Sequence, residues 1–138
     1  MPAKDIYHDV VKKALEKDRW MITDDPLKLK VGVRDLFIDL GAKQLLAAEK
    51  GERKIAVEIK SFIGLSPVKD LENALGQYTL YSDILEESEP DRVLYLAIRQ
   101  ETYNDLFEEP IGKILLRKSR LRLLVFDSGR EEILQWIP

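Results

Sequence analysis

Two stretches of this 138-residue chain carry ionisable residues inside strand-like sequence, and they constrain the fold more than anything else in it. They are Asp35-Leu36-Phe37-Ile38-Asp39-Leu40 and Ile55-Ala56-Val57-Glu58-Ile59-Lys60. Successive side chains of a strand point to opposite sides, so a period of two marks a strand with one covered face. Leu36, Ile38 and Leu40 then share one face of the first strand, with Asp35, Phe37 and Asp39 on the other. Ile55, Val57 and Ile59 line one face of the second, while Ala56, Glu58 and Lys60 face the opposite way. Glu58 and Lys60 are therefore neighbours about 7 Å apart along the strand. The spacer between the stretches is too short for a crossover helix, and Lys50-Gly51-Glu52 reads as a hairpin turn, so antiparallel pairing is expected. Asp39 then joins Glu58 and Lys60.

Two carboxylates and an ammonium at one spot have a chemical use. Hard oxygen ligands hold Mg²⁺ or Mn²⁺, and a lysine beside the cation can activate water or stabilise charge on a phosphate. This is a phosphodiesterase pattern. Glu-x-Lys on a half-exposed edge strand is also an ordinary pair of solvated charges, so the aspartate in the preceding strand gives the pattern its weight.

Composition removes several alternatives. The length suits one domain, residues 1–138, with a substantial core. There is no cysteine, which excludes disulfides, thiolate metal sites and cysteine nucleophiles and suits a cytoplasmic protein. His8 is the single histidine, which excludes multi-histidine zinc sites and most Ser-His-Asp arrangements. No signal peptide or membrane-spanning run is evident, so no membrane partner is expected. A net charge of -3 argues against coating nucleic acid by bulk electrostatics, while leaving room for local basic patches.

Along the chain, helical spacing of Ile6, Val10 and Ala14 beside Tyr7, Val11 and Leu15 predicts an amphipathic helix over 4–19. Short strands are expected at 20–23 and 27–31, separated by Asp24-Asp25-Pro26. Gly41 reads as a turn or bulge, and 45–49 as a further short strand. Ser66-Pro67 is a helix start, with a capping hydroxyl and proline at the first position, for a helix reaching about Glu87. Its core stripe is Leu71, Leu75, Tyr78 and Leu85 with Val68 near the start; Asp70, Ala74, Gln77 and Tyr81 lie on a flanking stripe. Arg92 to Ile98 is an apolar run expected as a central strand buried on both faces. Thr102 reads as the cap of a short helix to Phe107, and 111–119 as another helix. Lys113, Arg117, Lys118 and Arg120 there are either a phosphate-contacting edge or a solvated helix end. Strands at 121–127 and 131–137 around Ser128-Gly129-Arg130 predict a C-terminal hairpin, with Trp136 as a packing residue.

The element order, an α/β (α+β) arrangement of a central mixed sheet flanked by helices, resembles the restriction-endonuclease-like fold of the PD-(D/E)xK superfamily. The residues that carry the resemblance are Asp39, Glu58-Ile59-Lys60 and the Gln-x-x-x-Tyr run from Gln77 to Tyr81. Ile38 stands where the superfamily name has proline. Over almost the whole chain the sequence also looks like XisH, the cyanobacterial family of fdxN element excision controlling factors. The segments concerned are Asp39-Leu40-Gly41-Ala42, Ile55 to Phe62, Ala74 to Tyr78, Glu89 to Ala97, and Gln135-Trp136-Ile137.

These resemblances imply an accessory role in site-specific excision of a DNA element, with DNA, a site-specific recombinase and an XisI-type protein as partners; a homo-oligomer is compatible with them. They imply a nuclease-like site in which Asp39, Glu58 and the Ile59 carbonyl bind Mg²⁺ or Mn²⁺. Lys60 would activate water, Gln77 would position phosphate or Lys60, and Asp35 would add an outer carboxylate. The first helix offers His8 or Glu16 as a further member. The alternative is a catalytically silent module that keeps the fold to bind DNA, recombinase or partner.

Overall fold

The computed structural model describes residues 4–46 and 51–138. Helix α1 (His8–Lys17) is followed by β1 (Met21–Asp24), β2 (Leu27–Val31), β3 (Arg34–Ile38), β4 (Leu40–Leu46) and β5 (Gly51–Ile59). The long helix α2 (Pro67–Ser88) leads to β6 (Arg92–Arg99). A short helix α3 (Gln100–Thr102) runs into a π-helical turn (Tyr103–Phe107), then come α4 (Pro110–Arg117), β7 (Leu123–Asp127) and β8 (Glu132–Ile137). Among the described residues, six strands form one mixed sheet in the order β1-β4-β5-β6-β7-β8, and β2-β3 forms a separate hairpin. The β5-β6 and β6-β7 pairs are parallel; β1-β4, β4-β5 and β7-β8 are antiparallel.

Apolar side chains fill both faces of the sheet. Ala56, Leu94, Leu96, Ile98, Leu123 and Val125 pack with Leu71, Ala74, Tyr78 and Leu85 of α2. Leu40, Val57, Ile59, Tyr95, Leu124 and Phe126 pack with Val11 and Leu15 of α1. The run from Leu94 to Ile98 is buried on both faces, as a strand between two parallel neighbours requires. Ser66 caps α2 by accepting from the Lys69 amide at 3.2 Å, with Pro67 at the first position. Trp136 packs on Trp20 and Tyr95. No helix among the described residues is long and apolar enough to cross a membrane.

Several elements differ from the sequence reading. The stretch 35–40 is not one strand, because the chain bends at Asp39. Ile38 consequently packs on the α2 side and Leu40 on the α1 side, although alternation alone would put them on one face. Gly41 lies within β4, not in a turn; a Cβ there would sit 2.8 Å from a carboxylate oxygen of Asp24 and 2.9 Å from the Arg92 guanidinium. Leu45 and Leu46 continue β4, and residues 47–49 lie outside the described part. Gly51 and Glu52 belong to β5, paired with Leu46 and Leu45, so they are strand rather than turn, and Lys50 lies outside the described residues. Thr102 is inside its helix and caps nothing; Arg99 holds the cap position. Val68 is exposed, as are Pro67 and Lys69 beside it, so the buried stripe of α2 starts at Leu71. The helices are shorter than their amphipathic patterns: α1 starts at His8 and α4 ends at Arg117, where Ser119 takes a left-handed conformation with φ 55°.

Candidate functional site

The bend at Asp39 and the end of β5 meet. β4 and β5 pair with Leu40 opposite Val57, which puts Asp39 beside the Glu58–Ile59 step. Oδ2 of Asp39 accepts a 2.7 Å hydrogen bond from the Ile59 amide, fixing the carboxylate against the strand. Glu58 faces the α2 side as alternation requires and is only 6% exposed. Lys60 follows on the same face, its Nζ 3.7 Å from Oε2 of Glu58. The Lys60 amide donates to the Ala97 carbonyl at 3.2 Å, so β5–β6 pairing extends to the lysine and directs it.

The electrostatics are those of two crowded carboxyls. Burial pushes the Glu58 carboxyl up to about 8, and the adjacent Asp39 charge and hydrogen-bonding oxygen add to the rise. Lys60 and the Asp39 backbone amide oppose it without winning. The shift favours a proton on Glu58, which lessens the repulsion of the pair as a bound cation would. Burial, followed by the charges of Glu58 and Asp39, also raises the Tyr81 hydroxyl, so this half-buried phenol of α2 belongs to the same environment.

The residues present suit a hard divalent cation. Mg²⁺ is commonly held by one or two carboxylates and keeps several waters, so Asp39, Glu58 and a main-chain oxygen such as that of Ile59 are a sufficient set. Among the described residues, no cluster of three or more His, Cys, Asp or Glu side chains is assembled for a metal. Any cation here would therefore rest on the pair and on backbone or water.

Lys60 opens into a cleft of about 630 Å³, also lined by Ser61, Phe62, Asn73 and Gln77. Gln77 is exposed at this mouth, one helical turn before Tyr81. Asp5, Asp70 and Glu72 make the rim acidic. Asp70 accepts from the Gly64 amide at 2.9 Å, tying the loop after Lys60 to α2. Phe62 in that loop has a left-handed backbone, φ 52°, which is strained for an aromatic residue.

Other candidates lie apart. Asp35 is exposed on the small hairpin and pairs with Lys28 at 3.5 Å. His8 is buried, its Nε2 2.6 Å from Asp25, which also takes Lys12 at 2.9 Å. Burial pushes Asp25 upward, but its bonds to Lys12 and His8 prevail and hold it low. His8 is thus engaged with Asp25, while Glu16 is exposed near the far end of α1.

Two neighbours went unassigned in the sequence. Tyr81 was signalled by its four-residue spacing from Gln77. Arg99 closes the β6 apolar run; its guanidinium donates to the Ser61 carbonyl at 2.9 Å and stacks over Tyr7 at 5.1 Å.

Fold and site together define a mixed α+β protein with a carboxylate–lysine constellation at the end of β5, a central strand of the mixed sheet. Comparison with known proteins makes this particular. The family model for XisH, described as XisH protein, matches residues 1–134. The fold matches the crystal structure of an XisH family protein from Nostoc punctiforme with a TM-score of 0.86 and 40% identity, covering 97% of this chain and 100% of that one. It matches that of a fdxN element excision controlling factor protein from Anabaena variabilis with a TM-score of 0.86 and 41% identity, covering 98% of this chain and 100% of that one. No curated protein matches. The chain belongs to the XisH family.

Proposed function

We propose that this chain helps control the excision of a DNA element, the role named for its Anabaena variabilis relative, and does so with a PD-(D/E)xK-type nuclease site dependent on Mg²⁺ or Mn²⁺. The observation that carries the reading is the contact of a buried Glu58 with Asp39 while Lys60 stands 3.7 Å from the same glutamate. Asp39, Glu58 and the Ile59 carbonyl would hold the cation, which supplies positive charge for the phosphate undergoing attack. Lys60 orients the water and stabilises charge developing on phosphate. Gln77, at the mouth, positions the phosphate. The partners that fit the role are DNA, a site-specific recombinase and an XisI-type protein.

A second reading is favoured by the acidic rim of Asp5, Asp70 and Glu72, which opposes the approach of a polyanion. On that reading the chain is a catalytically silent module. Incubating it with Mg²⁺ or Mn²⁺ and supercoiled, linear, branched and single-stranded DNA separates the two. Cleavage that is lost on chelation and in Glu58→Gln supports the nuclease; an inert protein with all substrates and with its partner present supports the module.

A further inference from the structure

The cleft is poor in the cations that a nucleic-acid backbone needs, since Lys60 is the lysine among its lining residues and three carboxylates flank it. Duplex DNA carries a negative charge about every 1.7 Å of axis. The opposite charge is concentrated elsewhere. Lys113, Arg117, Lys118, Arg120 and Arg122 place five cations and no carboxylate within 113–122, leaving 17 Lys and Arg against 25 Asp and Glu in the rest of the chain. All five are exposed, and among the described residues none makes an ion pair.

Backbone geometry gathers them. Lys113 and Arg117 are one turn apart on α4 and share a face. The left-handed Ser119 ends the helix sharply, its amide bonded to the Leu116 carbonyl at 3.0 Å and that of Arg120 to the Leu115 carbonyl at 2.9 Å. Leu121 and Leu123 turn into the core, leaving Arg120 and Arg122 outside it. The Arg122 amide donates to the buried Tyr78 hydroxyl at 3.2 Å, which fixes the segment. The helix dipole accounts for cations at the end of α4, namely Arg117 and Lys118, but Arg120 and Arg122 lie beyond it. Glu58 faces Leu96 across the sheet and Leu96 faces Leu123, so the segment ends next to a residue two strands, about 10 Å, from Glu58. It contains no aromatic residue, hence no platform for stacking bases.

We propose that residues 113–122 form a docking surface for the phosphate backbone of duplex DNA, held by charge and without base readout. This surface is independent of cleavage and stands even if the Asp39–Glu58 site is silent. The test is fluorescence anisotropy of a short random-sequence duplex titrated with the full chain at several salt concentrations. Each engaged cation contributes about 0.9 to the slope of log affinity against log salt. Arg117→Gln/Arg120→Gln/Arg122→Gln is expected to lower that slope by about two to three units and to weaken low-salt binding at least tenfold. Lys113→Gln/Lys118→Gln, at surface positions that circular dichroism should show to be folded, is expected to lower it by about two units and decides the matter if the first variant fails to fold. Titrating in EDTA keeps this binding apart from any metal-dependent cleavage, and Lys30→Gln, an exposed cation on the separate β2-β3 hairpin, should bind as wild type does. Salt-independent or absent binding by wild type, or an unchanged slope in a folded variant, overturns the proposal. So does binding to phosphatidylserine vesicles without binding to DNA, which would assign the surface to an anionic membrane.

Discussion

Asp39 and Ile59 are joined by a 2.7 Å hydrogen bond from the Ile59 amide to the aspartate Oδ2, and that bond couples the bend before β4 to the strand carrying Glu58. One carboxylate oxygen is spent on the backbone. The other is free to face Glu58, so the two carboxyls meet at a position set by main chain rather than by flexible side chains.

Replacing Asp39 by Asn tests that position with little change of shape. An amide oxygen can still accept from Ile59, so the variant should fold, but the charge is lost. Titration calorimetry with Mn²⁺ is expected to show binding weakened by about tenfold or more, as for loss of a directly bound carboxylate. Equal affinities in the two proteins would remove Asp39 from the site.

Glu58 ties stability to pH. Its folded value of about 8 exceeds the ordinary 4.5. Below 4.5 both folded and unfolded chains hold the proton and nothing changes. Between 4.5 and 8 the folded chain alone holds it, so unfolding releases a proton and stability falls as pH rises, by at most about 1.4 kcal/mol per unit. Glu58→Gln should abolish this contribution and melt higher than wild type near pH 8 without metal. In the same window Mn²⁺ must displace the proton, so affinity should climb with pH and level off above about 8. Parallel melting curves for wild type and Glu58→Gln from pH 5 to 8.5 would contradict the assignment.

The sequence was legible where local chemistry and fold agree. Ser66-Pro67 opens a helix, Glu58 and Lys60 share a face, and 92–98 is a buried strand because each of these depends on neighbours in sequence. The bend at Asp39 was illegible. Leu36, Ile38 and Leu40 keep perfect alternation through it, and what breaks the strand is that β3 pairs with β2 in the small hairpin while β4 pairs with β1 and β5 in the main sheet, a division made by tertiary structure. Phe62 gives no hint of a left-handed backbone, since no residue type announces strain imposed by the loop it sits in. Tyr81 was placed on the right helix and Arg99 lay one residue past the predicted strand 92–98, but their involvement depends on how α2, α1 and β6 pack.

Gly112 makes a test of that packing. A Cβ on it would lie 2.3 Å from the Leu106 carbonyl oxygen and 2.4 Å from the Phe107 Cα, both backbone atoms of the π-helical turn. Neither can rotate away, so α4 would have to move. Gly112→Ala, although it favours helix intrinsically, should lose about 1–3 kcal/mol in urea unfolding. A variant as stable as wild type would show that α4 is free to shift.

Lys60 distinguishes binding from chemistry. It is not among the proposed ligands, so Lys60→Ala should still bind Mn²⁺, yet any cleavage should disappear with the water-orienting and charge-stabilising ammonium. A second effect needs no cleavage at all. Lys60 is among the groups that draw Glu58 downward, so its removal leaves burial and Asp39 less opposed and the glutamate holds its proton to higher pH. The pH at which Mn²⁺ affinity levels off should therefore rise in the variant, whether or not wild type cuts DNA. Calorimetry across pH 6 to 9 reads that shift directly. An unmoved midpoint would mean that the 3.7 Å contact between Lys60 and Glu58 carries no electrostatic coupling, and the lysine would lose its place in the site.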